Sequence, residues 1–366
     1  MCHYGRVTRN LDLSSLTAPI AKGEVAAFKA QTKASGKTWG QWTGSSVVGA
    51  VFLAFVVGAV LLSTGSIFLR FLTRSIENDG INPVSGVGVG FIAIFMSLVI
   101  IAIVVGVRGG FGFGKWTRWM RLDRFAQAND LVFSPSDSTP TYPGSIFGRG
   151  HSRVALDHLR SDAGRFLDYG NYRYVTGSGK NQTTHNWGFL AFKLDRQLPH
   201  MVLDSKANNG LFGGSNLGVT FTKDQILSLE GDFDRYFTLY CPSQYERDAL
   251  YVFTPDLMAL LIDEAAPFDV EIVDSWMFVY AARPFVMTDP GVHERLFRIV
   301  DTVGAKTLTQ TERYADERVG DRTANIVAAP GRRLRSGVSI GTIIVVSVLV
   351  AYWGFSFFGS FLGFGN

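Results

Sequence analysis

The chain has 366 residues, of which 47% are hydrophobic and 18% charged, and it carries a formal net charge of +4. That total hides a segregation: between Ala126 and Pro330 there are 19 Lys and Arg against 26 Asp and Glu, a net of −7. A segment so balanced shows no basic face in its sequence, which excludes nucleic acid as the expected partner. The two cysteines, Cys2 and Cys241, cannot form a disulfide framework, as suits a reducing compartment.

Residues 1–44 are polar and mildly basic and read as a mobile N-terminal segment, with a short helix from Ile20 to Ala34 ended by Gly36. Residues 45–108 contain two uncharged apolar runs, 47–69 and 84–107, and a third run covers 338–358. Each exceeds the roughly 20 residues that a helix needs to cross a bilayer. The expectation is therefore α+β with three transmembrane helices, a helical hairpin first, plus a cytoplasmic domain with an antiparallel sheet and C-terminal helices. Lys29, Lys33 and Lys37, then Arg108 to Arg124, then Arg332, Arg333 and Arg335 flank the runs on one side. The positive-inside rule then puts the N-terminus and main domain in the cytoplasm, the C-terminus (tail 359–366) outside, and the chain in the plasma membrane. The lipid bilayer and anionic lipid headgroups are the partners this implies. Gly49, Gly58 and Gly65, with Gly86, Gly88 and Gly90, would allow close helix packing in a homo-oligomer.

Residues 109–130 are expected to form an interfacial helix, with Trp116, Trp119, Met120, Leu122 and Phe125 at helical spacing. Residues 131–330 read as one α+β domain. It begins with a Pro/Ser/Gly-rich loop through His151. Strands are expected in "RFLDYGNYRYVT", "HNWGFLAFKLD", "HMVLDSK" and "FDRYFTLYC". A helix is expected in "TPDLMALLIDEAA", with Thr254 as N-cap and Pro255 in the first turn. "DVEIVDSWMFVYAA" reads as a hairpin around Asp274-Ser275, and "PGVHERLFRIVDTVGAK" as a helix, continuing solvated toward Asp321.

The stretch "GSGKNQTTH" invites a phosphate-loop reading that its surroundings refuse. The motif needs glycine where Tyr174 stands and Ser or Thr where Asn181 stands, and a strand rather than a helix follows. It reads instead as a hairpin loop whose Lys180, Asn181, Gln182 and His185 can contact a partner. Asp232 and Asp234 lie two apart at a strand start; such a pair can bind metal or share a proton, and more often is simply solvated. None of the six histidines is paired at helical metal spacing, so no metal and no cofactor is expected. Eight acids against Arg247 alone between Glu246 and Asp274 suggest a solvated face or a docking face for a basic partner.

The run "GDFDRYFTLYCPSQYERDALYVFTPDLMALLIDEAAPFDVEIVDSWMFVYA", with "YRYVTGSGKNQTTH" upstream, resembles a family of bacterial membrane-anchored proteins built on a domain of unknown function. The carrying elements are an F-D-x-x-F-x-[LV]-Y strand and a T-P-x-[LFM]-M helix start, over roughly residues 144–282. The resemblance implies a membrane-anchored bacterial protein and no catalytic residues. The resulting expectation is a membrane-anchored cytoplasmic binding or scaffolding module with a protein partner. The alternatives are a tethered hydrolase using Asp232, Asp234, His185 or His200, and an oligomeric channel.

Overall fold

The computed structural model describes residues 11–39, isolated positions between 58 and 97, and 114–353 apart from 139, 162–163, 210–216, 230, 322 and 338–346. It divides into two units, Pro19–Met120 on one hand and Met1–Ala18 with Arg121–Asn366 on the other. Helices α1 (Ser14–Thr17), α2 (Glu24–Ala34) and α3 (Lys115–Ala128) come first. Within the smaller unit the Phe28 ring meets Trp116 edge-on at 6.4 Å, and Trp116 meets Trp119 at 5.2 Å.

Among the described residues no helix is long and apolar enough to cross a membrane. The longest, α3, has 14 residues and carries Lys115, Arg118, Arg121, Asp123 and Arg124. At about 1.5 Å per residue such a helix falls short of the roughly 30 Å of hydrocarbon. The expected fold of three transmembrane helices plus a domain is accordingly corrected to α+β with a seven-stranded antiparallel sheet and helices. The multi-pass plasma-membrane placement and the channel reading, which rest on those helices, are withdrawn with it. The runs 47–69 and 84–107 lie outside the described residues but for isolated positions, and of 338–358 only 347–353 is described.

The sheet comprises β1 (Val132–Asp137), β2 (His151–Ser161), β3 (Leu167–Thr176), β4 (Thr183–Ser205), β5 (Ile226–Leu227), β6 (Phe237–Tyr240) and β7 (Asp269–Ala281). Its order is β1-β2-β3-β4-β6-β5, with β7 also paired to β4. β4 is the spine. Thr183–Phe192 pair with β3, Val202–Ser205 with β6, and Gly188–Leu203 with β7. Thus "HNWGFLAFKLD" and "HMVLDSK" are one strand of 23 residues. The Asp274-Ser275 break is not a turn: β7 runs straight through it, and Asp274 takes φ +54° opposite a bulge in β4, where Lys193 to Leu198 lies against only Trp276 to Asp274. The segment read as a loop contains β1 and the start of β2. Pro135 is tolerated in β1 because an edge strand can leave one N–H side unpaired.

Both sheet faces are buried. On one, Tyr172, Tyr174, Phe189, Ala191, Phe278 and Tyr280 are covered by irregular chain through Ile146, Phe147, Phe221 and Leu334. On the other, Tyr169 meets Phe297 edge-on at 5.8 Å, beneath helices. These are α4 (Glu246–Val252), α5 (Pro255–Leu260), α6 (Pro290–Ile299) and α7 (Ala305–Thr311). α5 runs on through a π turn at Leu261–Ala265, and a second π turn, Val300–Gly304, joins α6 to α7. The Asp289 side chain caps α6 by accepting from Gly291 N at 3.0 Å. Thr254 makes no such side-chain cap on α5, contrary to expectation. The expected solvated extension beyond Thr311 is turns rather than helix.

Candidate functional site

The "GSGKNQTTH" stretch is the β3–β4 hairpin loop. Thr176 pairs with Thr183, Gly177 supplies φ +79°, and a short 3-10 turn covers Gly179–Asn181. Lys180, Asn181 and Gln182 are exposed at its tip. His185 lies half-buried opposite Tyr174, stacked on its ring at 4.7 Å, with Nε2 2.8 Å from Thr176 Oγ1. Burial first, then the Arg149 charge, lower its pKa, so at neutral pH it is an uncharged ring.

Asp232 and Asp234 sit elsewhere. They flank Phe233 in a 3-10 turn before β6, not in a strand. Asp234 accepts from Ser228 Oγ and from Leu229 N, closing a local turn. The neighbouring Tyr236 carbonyl accepts from Lys206 N, just past the far end of β4. His185 and Lys206 are therefore separated by nearly all of β4, about 70 Å of strand were it straight. His200 is on that same strand and not on a neighbour of His185. These four residues do not converge, and general acid–base work needs groups within about 3 Å of one another or of substrate. Cys241 is buried, and burial with the Glu246 and Asp248 charges pushes its thiol up to about 12. It is a protonated thiol at neutral pH and no nucleophile.

The fold does assemble a basic end that the sequence conceals. Segments 144–156 and 171–194 contain no Asp or Glu. The register brings them together, with His151 opposite Val175, Val154 opposite Arg173, and Arg173 opposite Asn186. Arg153, Arg173, Lys180 and Asn181 are exposed there, and Arg149 is half-buried. Arg149 donates to the Leu217 carbonyl and Arg153 to the Phe147 carbonyl, which fixes both side chains. Exposed Arg283 joins them, since its carbonyl accepts from Gly188 N at 3.1 Å. The nearest acid by register is Asp137, opposite Ala155.

The acidic run behaves in the opposite way, being matched from within. Asp248 meets Arg318 at 3.0 Å, Asp256 meets Lys306 at 2.9 Å, Glu264 meets Arg298 at 2.8 Å, and Asp274 meets Arg333 at 2.9 Å. Such surface pairs add only about 0–1 kcal/mol each. Their consequence is electrostatic: four of the run's eight carboxylates already have basic partners from the chain's own C-terminal part.

Two polar networks lie under the irregular cover of the sheet. Glu271 accepts from Ser145 N (2.7 Å), Ser145 Oγ (2.6 Å), Tyr280 Oη (2.7 Å) and His200 Nε2 (2.8 Å). His200 Nδ1 accepts from Leu334 N at 3.0 Å, and a backbone N–H can only donate. The His200 proton is thereby assigned to Nε2. Burial raises the Glu271 pKa, but the His200 and Ser145 bonds outweigh it and hold the carboxyl below its ordinary value. Gly144 makes the approach possible, because a Cβ there would lie 2.1 Å from Tyr280 Oη.

In the second network Asp168 accepts from Tyr142 Oη at 2.5 Å and from His158 Nδ1 at 2.9 Å. A β-bulge beside Asp157 (φ +48°) turns His158 toward Asp168. Its Nε2 is buried without a hydrogen-bond partner. These histidines hold structure together, as does His293 on the helical face, with Nδ1 against Tyr169 Oη and Nε2 against the Met287 carbonyl. Among the described residues no group of three or more His, Cys, Asp or Glu is placed to hold a metal ion. Sequence had paired neither Glu271 with His200 nor Asp168 with His158, and no spacing rule links residues 71 positions apart.

No family model, no curated protein and no solved structure matches this chain.

Proposed function

We propose that the chain is a binding module that holds an acidic segment of a protein partner at the basic end of its sheet. One observation carries the reading: Arg173 and Lys180 are exposed and in no ion pair among the described residues, on paired segments, 144–156 and 171–194, that hold no Asp or Glu. The cations span β2, β3 and the hairpin tip, and three adjacent strands cover about 10 Å. One carboxylate or phosphate cannot bridge that width, whereas several acidic side chains along a peptide can. Asn181, Gln182, Thr183 and Thr184 add exposed hydrogen-bonding groups beside the charges. Complementary charge would act chiefly on encounter rate and partner choice.

The test is fluorescence anisotropy of a labelled oligoglutamate peptide titrated with the full chain at low and high salt. Saturable binding weakened by salt is expected, and the double change Arg173→Glu with Lys180→Glu is expected to weaken it at least about tenfold, or ~1.4 kcal/mol. Neither side chain supports the fold, so the variant keeps its structure. Unchanged binding by the variant would contradict the proposal, as would tighter binding to anionic vesicles or to a DNA oligonucleotide.

A further inference from the structure

At the far end of β4 the strand register sets two buried aspartates opposite each other. Leu203 pairs with Val270, so Asp204 stands opposite Asp269 by antiparallel register. Both are buried, Asp269 completely so. Asp269 Oδ1 accepts from Ser205 N at 2.8 Å, while Oδ2 has no hydrogen-bond partner. Like charges directly opposite across a ladder repel, and burial multiplies the cost.

We propose that Asp204 and Asp269 share one proton, and that this proton closes the β4–β7 end of the sheet in a way that loosens as pH rises through neutrality. The orphaned Asp269 Oδ2 is where a proton would supply the missing bond, donated toward the Asp204 carboxylate. Among the described residues no cation is paired with Asp269. On β7, Glu271 is held by His200 and Ser145, and Tyr280 bonds Glu271 rather than Asp269. On β6, Tyr240 lies close enough to feel Asp204. In the turn that follows, Asn208 bonds the Pro267 carbonyl and its side chain also favours the ionised Asp269, a smaller effect than burial, while Asn209 Nδ2 lies 3.4 Å from Asp204 Oδ2. Lys206 donates to the Asp234 carbonyl instead. Burial above all, with the Asp204 charge adding to it, pushes the Asp269 carboxyl up to about 7.

The sign follows from linkage. An acid whose folded pKa is raised keeps its proton in the folded chain while the unfolded chain ionises, so stability falls as pH rises from the unfolded value toward the folded one. Between pH ~4 and ~7 the folding constant should drop on the order of a thousandfold from this group alone. Asp269→Asn imitates the protonated side chain, since its Oδ1 still accepts from Ser205 N and its amide can donate to Asp204.

The test is urea unfolding of the full chain across that pH range, alongside 13C NMR titration of the Asp269 carboxyl. The Asp269→Asn chain should lose the thousandfold fall and be the more stable at alkaline pH. Asp204→Asn should move the Asp269 midpoint down while burial keeps it above the ordinary carboxylate value. An Asp269 midpoint at that ordinary value would overturn the proposal, as would an Asp269→Asn profile parallel to wild type. So would a wild-type profile flattened by calcium or magnesium chloride, since a cation rather than a proton would then join the pair. If a variant fails to fold, the wild-type carboxyl titration alone decides.

Discussion

Replacing Glu271 by Gln keeps the shape of a buried side chain and removes its charge. Four donors converge on the carboxylate, two on each oxygen: Ser145 Oγ and His200 Nε2 on Oε1, Ser145 N and Tyr280 Oη on Oε2. A glutamine must present an amide N–H2 to one of the two sides. On one it meets the Ser145 backbone N–H, which cannot turn away. On the other it meets His200 Nε2–H, which Leu334 N pins from behind at Nδ1. Either orientation strands a buried donor, at about 1–3 kcal/mol. The remaining bonds also lose their charge assistance, for a total of ~3–5 kcal/mol. That is a large share of the 5–15 kcal/mol or so of a typical fold. Urea unfolding at neutral pH should show a lower midpoint and an unchanged slope. Because the Glu271 pKa is depressed, its contribution is full above the ordinary glutamate value and is lost as pH falls through the folded one. The gap between wild type and variant should therefore narrow in acid. A loss below about 1 kcal/mol at neutral pH would refute the reasoning, because four charge-assisted bonds cannot be so cheap.

Three further outcomes are expected. Gly144→Ala should destabilise by about 1–3 kcal/mol through overpacking against Tyr280 Oη, and Tyr280→Phe should relieve part of that cost, giving a non-additive double-mutant cycle in urea unfolding. Asp289→Ala should cost α6 about 1 kcal/mol by removing the bond to Gly291 N, read as a shift in thermal midpoint. Cys241 should react with an aromatic disulfide reagent only at the rate of unfolding, so that reaction at the rate of a free thiol in the native chain would contradict its placement.

How much of this was legible beforehand depended on range. The hairpin at Gly177, the helix entered at Pro255 and the helix begun at Pro290 are local events, written in turn and helix-start residues a few positions apart. The Asp-Ser pair at 274–275 reads as a turn because the same residue types end strands; only pairing of β7 with β4 on both sides of it, across a bulge in β4, shows that the strand continues. Asp269 and Glu271 alternate with Val270 and Ile272, which in sequence reads as a strand with one wet face. Here both faces are covered, so the acids are buried: Glu271 finds Ser145, His200 and Tyr280, and Asp269 finds Ser205 N. The basic end was hidden by averaging. The domain's net of −7 conceals Arg149, Arg153, Arg173 and Lys180, which only the β2–β3–β4 register gathers.

The central claim, that this gathered charge is a docking site, is tested most directly by hydrogen–deuterium exchange of the full chain with and without the oligoglutamate peptide. The account predicts slowed exchange confined to residues 149–154 and 173–186, abolished by salt, with the acidic helices around 246–266 unchanged. Protection located on those helices, or none anywhere at peptide saturation, would contradict it.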